Sequence, residues 1–205
     1  MQIGDGGSQH NEYHLHGRQI DWPHRVGVAP PLADQRVDRP PDRDLNTAST
    51  SGQTVVVCQV VTGLGGVGKT QLAAALAHHV WREQLVDLLV WVSATSRTGL
   101  IAGYAQAAAD VTGIEDTDPQ QAADRFLAWL ASTGRRWLIV LDDLNDPADL
   151  RRLWPPATGP GRTVITTRRR DSALLAGRHV VQVGLFTPTE AHTYLQNKLS
   201  GAPGY

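Results

Sequence analysis

The segment from Gly63 to Thr70 reads GLGGVGKT and is the strongest indication of the fold in this sequence. It matches the pattern GxxxxGK[ST], and it lies between an apolar run at Val55–Val61 and an amphipathic segment at Leu72–Trp81. A strand, a glycine-rich turn and a helix in this order form a phosphate-binding loop, because small residues let backbone N–H groups turn toward phosphate oxygens at the positive end of the helix dipole. The predicted phosphate-binding residues are Gly63, Leu64, Gly65, Gly66, Val67, Gly68, Lys69 and Thr70.

Two side chains of this segment have distinct predicted roles. Lys69 provides a mobile cation for the β- and γ-phosphates, and the Thr70 hydroxyl can join the oxygen shell of a Mg²⁺ ion. Lys69 is one of only two lysines in an arginine-rich chain, and the rigid fork of arginine does not freely replace lysine in such a loop. The alternative interpretation is a glycine-rich turn that matches the pattern by chance.

A second motif ends in two carboxylates. The apolar run Trp137–Leu141 is followed directly by Asp142 and Asp143. In proteins with a phosphate loop such a strand lies beside it, so Asp142 would reach Mg²⁺ through a water and Asp143 could orient or deprotonate an attacking water. The alternative is that both residues simply begin the turn that leads to Asn145.

A third motif is a strand that ends in a cation. The run Thr163–Thr167 precedes Arg168. If this strand inserts between the other two, Arg168 can face the γ-phosphate and sense its presence. A solvated basic turn is the alternative, because Arg169 and Arg170 follow. As a nucleic-acid patch the arginines are a weak signal, since no aromatic residues are interleaved with them.

From Thr54 onward, short β-rich apolar runs alternate with helical segments, which predicts an α/β domain with a parallel sheet. Three helix starts are indicated by a capping residue followed by proline, at Asp118, Asp146 and Thr187. The five predicted strands are Val55–Val61, Val86–Val92, Trp137–Leu141, Thr163–Thr167 and His179–Val183.

Composition limits the function classes. The chain has 205 residues with a formal net charge of -1, which suits one domain plus an extension and argues against a footprint for nucleic acid over the whole domain. A single cysteine, Cys58, excludes an internal disulfide framework. The chain has no apolar run longer than six residues, which excludes a transmembrane helix, and its polar start is not typical of a signal peptide. We therefore expect a cytoplasmic protein.

The start of the chain differs from the rest. Five of the 12 prolines fall before residue 42, so residues 1–36 are predicted to be a poorly structured extension or linker. Within it, residues 9–16 could form a short edge strand. Its histidines favour a surface strand over a metal site, because no cysteine or second cluster accompanies them.

Together the segments GLGGVGKTQ, LVWVSA, WLIVLDDL and GRTVITTR resemble the NB-ARC domain of the signal-transduction ATPases with numerous domains (STAND), in the bacterial form usually followed by winged-helix and tetratricopeptide repeats. The resemblance implies a P-loop NTPase fold, a three-layer α/β/α sandwich with a five-stranded parallel sheet in the order 5-1-4-3-2. It also implies a nucleotide-binding domain over residues 37–200, followed by a tail at 201–205.

The same resemblance implies a switch that binds ADP or ATP with Mg²⁺ and is at most a slow ATPase. It adds Gln71 to the phosphate loop, and Val37 and Arg39 to the adenine side, although Asp38 stands where the family has glycine and two prolines follow. It implies catalytic roles for Lys69, Asp143 and Arg168, and metal binding by Thr70 and Asp142. Expected partners are other proteins, or further copies, through regions missing from this chain; membranes are not expected, and nucleic acid is considered unlikely.

Two other functions remain open on the sequence. A kinase that transfers the γ-phosphoryl group to a small acceptor would share the first motif, but the chain has no arginine-rich insertion typical of a lid. A scaffold in which the nucleotide is purely structural would share all four motifs. The sequence does not separate the scaffold from the switch.

Overall fold

The computed structural model describes residues 20–34, 36–50, 54–59, 68–157 and 160–200. Within these ranges, six parallel strands form one sheet with helices on both faces. The strands are β1 (His24–Val26), β2 (Val55–Gln59), β3 (Leu88–Ser93), β4 (Trp137–Leu144), β5 (Gly161–Thr167) and β6 (His179–Val183). The helices are α1 (Pro40–Thr50), α2 (Lys69–Arg82), α3 (Arg97–Thr112), α4 (Pro119–Ser132), α5 (Ser172–Leu175) and α6 (Pro188–Ser200), with a 3-10 helix at Pro147–Leu150.

The strand order is β1-β3-β4-β5-β2-β6. Without β1, and read from the other edge, this is the predicted order 5-1-4-3-2, so the predicted fold class is confirmed. The strand that leads into the phosphate loop, β2, lies between β5 and β6, with Val57 opposite Thr166 on one side and Val181 on the other. The carboxyl ends of β2, β4 and β5 therefore meet at one edge of the sheet.

Successive side chains along each strand face opposite sides of the sheet and pack into two hydrophobic cores, one on each face. In β4, Ile139 and Leu141 face a cluster with Tyr104 and Phe126 of α3 and α4. Val140 faces the opposite cluster, with residues of α1 and α2. All of these side chains are buried, because a parallel sheet is covered on both faces. This is the expected three-layer arrangement.

The predicted capping residues begin helical segments as expected. The carboxylate of Asp118 accepts from the Gln120 N–H at 2.9 Å, and that of Asp146 accepts from the Ala148 N–H at 2.9 Å. The segment after Asp146 is only one 3-10 turn. Within the described part of the chain, no helix combines the length and apolar character needed to cross a bilayer.

The structure contains one strand that the sequence did not predict. β1 pairs in parallel with β3, with His24 opposite Leu88 and Val26 opposite Val90. It belongs to the segment predicted to be a poorly structured extension, and its three residues carry no sustained apolar alternation. Residues 9–16, where an edge strand was predicted, lie outside the described residues.

Candidate functional site

Of the predicted phosphate loop, the structure describes Gly68, Lys69 and Thr70. Gly63, Leu64, Gly65, Gly66 and Val67 lie outside the described residues. Gly68 caps α2 with φ 92°, in the left-handed region, and a Cβ there would meet nothing within 4 Å. Glycine is therefore favoured by backbone conformation rather than by space. Because α2 starts at the next residue, the N–H groups of its first turn have no partner within the helix and lie at the end of α2 that follows the loop in sequence.

Lys69 is the first residue of α2, and its side chain is buried, with 8% of its surface exposed. Lysine is rarely buried without compensating partners. Its position at the start of the helix, beside the phosphate loop, suits an ammonium that neutralises phosphate oxygens.

Thr70 and Asp142 come together at the carboxyl edge of the sheet. The Thr70 hydroxyl donates to Asp142 Oδ1 at 2.9 Å, and the Thr166 hydroxyl donates to the same oxygen at 2.5 Å. The backbone N–H of Asp143 in turn donates to the Thr166 hydroxyl at 2.8 Å. Thr166, which sequence analysis gave no role, thus links both carboxylate residues to β5.

A bulge in β4 orients the two carboxylates. Leu141 pairs with Ile165 and Leu144 with Thr167, so three residues of β4 span the length of two on β5. Asp143 takes φ 56° at this point. Bulges redirect side chains at sheet edges and beside functional sites, and here the bulge lies at the two acidic residues.

The oxygens at this edge fit a Mg²⁺ ion. The Thr70 hydroxyl is a hard oxygen that can enter the Mg²⁺ shell, and Asp142 Oδ1, which lies 2.9 Å from it, is placed to accept a hydrogen bond from a water of that shell. Within the described ranges there is no cluster of three or more His, Cys, Asp or Glu side chains able to hold a metal. The remaining positions would therefore belong to water and phosphate oxygens.

Arg168 lies beside Asp143, with its Nε 3.7 Å from Asp143 Oδ1. The Arg168 side chain is 64% exposed, so the pair contributes little to stability. The next arginine, Arg169, pairs with Asp171 at 2.9 Å, and this hydrogen bond lowers the pKa of the Asp171 carboxyl. The two neighbouring arginines therefore differ in orientation, and of the two Arg168 pairs with the acidic strand.

A cavity of about 270 Å³ adjoins the start of α2. It is mainly apolar, with aromatic side chains from the segment after β6, a composition typical of sites for small organic ligands. Its lining residues are Ala33, Arg36, Val37, Arg39, Pro41, Asp42, Gly68, Gln71, Leu72, Val183, Phe186 and Tyr194.

The cavity brings together residues that the sequence analysis placed at opposite ends of a nucleotide. Val37 and Arg39, predicted for the adenine side, share it with Gly68 and Gln71 of the phosphate side. The two prolines that follow Arg39 begin α1, which agrees with the preference of proline for the first helical turn.

Arg39 is held by the segment after β6. Its guanidinium donates to Gly184 O at 3.0 Å and Leu185 O at 2.9 Å, pairs with Glu190 at 3.3 Å and lies 4.6 Å from the Phe186 ring centre. Its charged end is thus engaged with protein groups. Arg39 therefore joins two walls of the cavity rather than presenting a free cation to it.

An ion pair fixes the same wall from the other side. Arg36 pairs with Asp42, and the Asp42 carboxylate also accepts from the Arg39 N–H at 2.8 Å. Burial lowers the pKa of the Arg36 guanidinium.

Sequence analysis missed Phe186 and Tyr194. Their rings stack on each other at 5.9 Å, and Phe186 comes directly before the cap Thr187. An apolar residue in that position often packs against the helix that follows, and this is the one local signal that could have drawn attention to it.

A family model and two similar proteins were found by comparison with known sequences. The NB-ARC domain model matches residues 45–203. The chain is 34% identical over 151 residues to the regulatory protein AfsR of Streptomyces griseus, covering 70% of this chain and 15% of the relative. It is 28% identical over 180 residues to a nucleotide-binding leucine-rich repeat-like protein of Hyaloscypha variabilis, covering 77% and 18%. The chain thus spans less than a fifth of these relatives.

Solved structures share the fold. The STAND protein with a tetratricopeptide repeat sensor from Pyrococcus horikoshii superposes with a TM-score of 0.55 at 20% identity, covering 90% of this chain and 28% of that one. The ORC2 protein of Aeropyrum pernix, solved as ADPNP–ADP complexes, gives 0.56 at 14% identity, covering 84% and 54%. The ORC1 protein of the same organism, solved with DNA, gives 0.54 at 14% identity, covering 80% and 50%. At these identities the likeness concerns the fold alone.

Proposed function

This chain belongs to the NB-ARC domain family, and on that premise we propose that it binds ADP or ATP with Mg²⁺ and changes conformation when one nucleotide replaces the other. NB-ARC domains are the nucleotide-binding modules of STAND-type ATPases. To this we add adenine as the base, Mg²⁺ as the metal and a change of conformation as the response to nucleotide exchange.

The observation that carries this proposal is the cavity at the start of α2. It is continuous from Gly68 and Gln71 to the aromatic pair Phe186 and Tyr194. A purine is flat and mainly apolar, so it suits the aromatic end, while its phosphates would extend toward Lys69 and the helix N-terminus. We assign base contact to Val37, and to Arg39 a supporting role in the wall.

The acidic edge supports a metal-dependent site. In this proposal Thr70 would hold Mg²⁺ directly and Asp142 would hold it through a water, and the metal would neutralise charge on the phosphate oxygens. Asp143 would orient a water for slow hydrolysis. Arg168 would face the γ-phosphate, and its exposed, weakly held side chain is able to leave Asp143 when that charge is present.

The output of such a module is a conformation rather than a product. Since the chain spans 15% of the Streptomyces griseus relative and 18% of the fungal one, the sensed signal and the assembly partners are proposed to depend on other regions of a longer protein. A cytoplasmic location and the absence of nucleic-acid partners stay predictions.

The direct test is a thermal-shift and calorimetric series with ADP, ATP and GTP, with and without Mg²⁺. A ligand at 100 times its dissociation constant stabilises the folded state by about 2.7 kcal/mol, which raises the melting temperature of a domain of this size by roughly 5–11 °C. We expect an adenine-selective shift that disappears in Lys69→Ala.

The chain offers a matched control for this substitution. Lys198, the only other lysine, lies on α6 with its side chain 52% exposed and 3.7 Å from Asp34. The pair with Asp34 is long, and the Asp34 side chain is 86% exposed, so its loss contributes little. Lys198→Ala should therefore bind ADP as the wild type does. Equal binding by wild type and Lys69→Ala would show that the phosphate site is misassigned.

A further inference from the structure

The segment between β1 and α1, residues 28–34 and 36–39, lies against α2 and is here termed the strap. Its described residues form no helix or strand. Val28 is 84% exposed and Leu32 is 43% exposed, so burial of these side chains contributes little to its position. Ala29 packs against the core that includes residues of α1 and α2, and beyond that residue the strap is held mainly by polar contacts with its neighbours.

The central contact is made by Gln71 of α2. Its Oε1 accepts from the Ala33 N–H at 2.7 Å, and its Nε2 donates to Pro31 O at 3.1 Å. Two turns further along the same helix, His78 Nε2 lies 3.0 Å from Pro30 O. Residues seven apart share one helix face, so one face of α2 contacts the strap at Pro30, Pro31 and Ala33.

The strap forms one wall of the cavity at the start of α2. The strap contributes Ala33, Arg36, Val37 and Arg39, while α2 contributes Gln71 and Leu72 and its cap contributes Gly68. Gln71 directly follows Lys69 and Thr70 in the sequence. Its side chain lines the cavity and contacts the strap there. The amide of Gln71 thus fixes the distance between the phosphate side and the opposite wall.

We propose that the Gln71 side chain is a positioning residue for the nucleoside part of the ligand. By holding the strap, it sets the wall that the base and ribose contact, whereas the diphosphate contacts depend on the loop and Lys69. This inference rests on the proposed function, namely that the cavity accepts the base of an adenine nucleotide. Because different residues contact the nucleoside and the diphosphate, the affinities for ADP and for pyrophosphate can be compared as a test.

The test compares ADP with inorganic pyrophosphate in Gln71→Met. Methionine keeps the length and helix propensity of glutamine but can form neither hydrogen bond. Pro31 and Ala33 are exposed, so water can replace the lost partners and the domain should stay folded. We expect the dissociation constant for ADP, measured by calorimetry, to rise about 10-fold, and that for pyrophosphate to change by less than about twofold.

A second readout follows the strap itself. Hydrogen exchange at the Ala33 amide, which donates to Gln71 Oε1, should become faster in Gln71→Met, while exchange in α3 should not change. Gln121→Met on the exposed surface of α4 is the matched control, and it should retain wild-type binding of ADP.

Two results would overturn the inference. Either Gln71→Met binds ADP as tightly as the wild type, or its affinities for ADP and pyrophosphate fall by the same factor, which would mean that Gln71 acts on the phosphates. Failure of the proposed function has a different signature, because then the wild type itself binds neither ADP nor pyrophosphate, and both proposals fall.

Discussion

The buried hydroxyl of Thr166 contacts both acidic residues that follow the apolar part of β4. Thr166 is 1% exposed, donates to Asp142 Oδ1 and accepts from the Asp143 N–H. It therefore orients the carboxylate proposed to bind Mg²⁺ through water and fixes the backbone of the one proposed to activate water.

At the residue scale we predict that Thr166→Val destabilises the domain by about 2 kcal/mol, because it leaves the Asp143 N–H without its partner and weakens the contacts of Asp142. Urea denaturation measures the loss of stability. Valine keeps the shape of threonine, so lost packing is a minor contribution. Mg²⁺-dependent binding of ATP should weaken as well.

Thr166→Ser is the control for this prediction, since serine retains the hydroxyl and loses only a methyl group. It should recover most of the stability that Thr166→Val loses. If the serine and valine variants are equally unstable, packing of the methyl group is responsible and the hydroxyl has no special role.

At the scale of elements, α6 depends on a reciprocal cap. The Thr187 N–H donates to Glu190 Oε2 at 2.7 Å, and the Glu190 N–H donates to the Thr187 hydroxyl at 3.3 Å. Glu190 also pairs with Arg39 of the strap. One carboxylate thus begins the helix and ties it to a wall of the cavity.

The pH dependence of this cap follows from the pKa of Glu190. The hydrogen bond from the Thr187 N–H, and then the contacts with Arg39, lower the pKa of that carboxyl. A lowered pKa in the folded state gives stability that is fully present above the unfolded value of about 4.3 and is lost as pH falls through the folded value.

We therefore predict that the wild type loses stability more steeply than Glu190→Gln between about pH 5 and pH 3. Urea unfolding over a pH series measures both slopes. Glu83 directly follows α2, and its side chain is 49% exposed in a surface pair with Arg82 that contributes little to stability. Glu83→Gln should therefore keep the wild-type slope. Parallel curves for wild type and Glu190→Gln would mean that the cap contributes nothing to folding.

The elements also show what local sequence could predict. Local signals predicted the strands β2 to β6 and the helix starts at Asp118 and Thr187. Apolar runs and capping residues act over a few neighbouring positions, so the sequence pattern was sufficient to predict these elements. Boundaries were less accurate: β4 extends to Leu144 rather than Leu141, because its bulge is stabilised by pairing with β5. A contact with another strand leaves no mark in the strand's own sequence.

At the scale of the whole molecule, the features that sequence analysis missed are those that join distant segments. Phe186 and Tyr194 meet Val37 and Gln71 only in the folded cavity. β1 exists because the edge of β3 accepts it and because aromatic packing holds the residues before it. Neither feature has a periodic pattern, and both depend on contacts between residues far apart in the chain.

The packing before β1 is centred on Trp22. The Trp22 ring stacks on the Trp129 ring of α4, with 6.2 Å between ring centres and an interplanar angle of 2°. The Arg135 guanidinium lies 3.9 Å from the centre of the Trp22 ring. His24 of β1 adds a contact with Asp110 of α3 at 3.1 Å. These contacts attach the strand to the α3–α4 layer, and the strand in turn precedes the strap.

We predict that Trp22→Ala destabilises the domain by about 2 kcal/mol, less than a fully buried tryptophan because the ring is only partly buried. Arg135→Gln should remove the cation–π contact and a weaker charge interaction with Asp87, at about 0.5 kcal/mol. Urea denaturation gives both values, and hydrogen exchange should show β1 opening in Trp22→Ala before the central strands do. Because the strap continues from β1, its amides should also exchange faster. If stability and exchange stay at wild-type levels, β1 is held by its pairing with β3 and by the His24–Asp110 contact, and the aromatic contacts do not couple the sheet edge to the cavity wall.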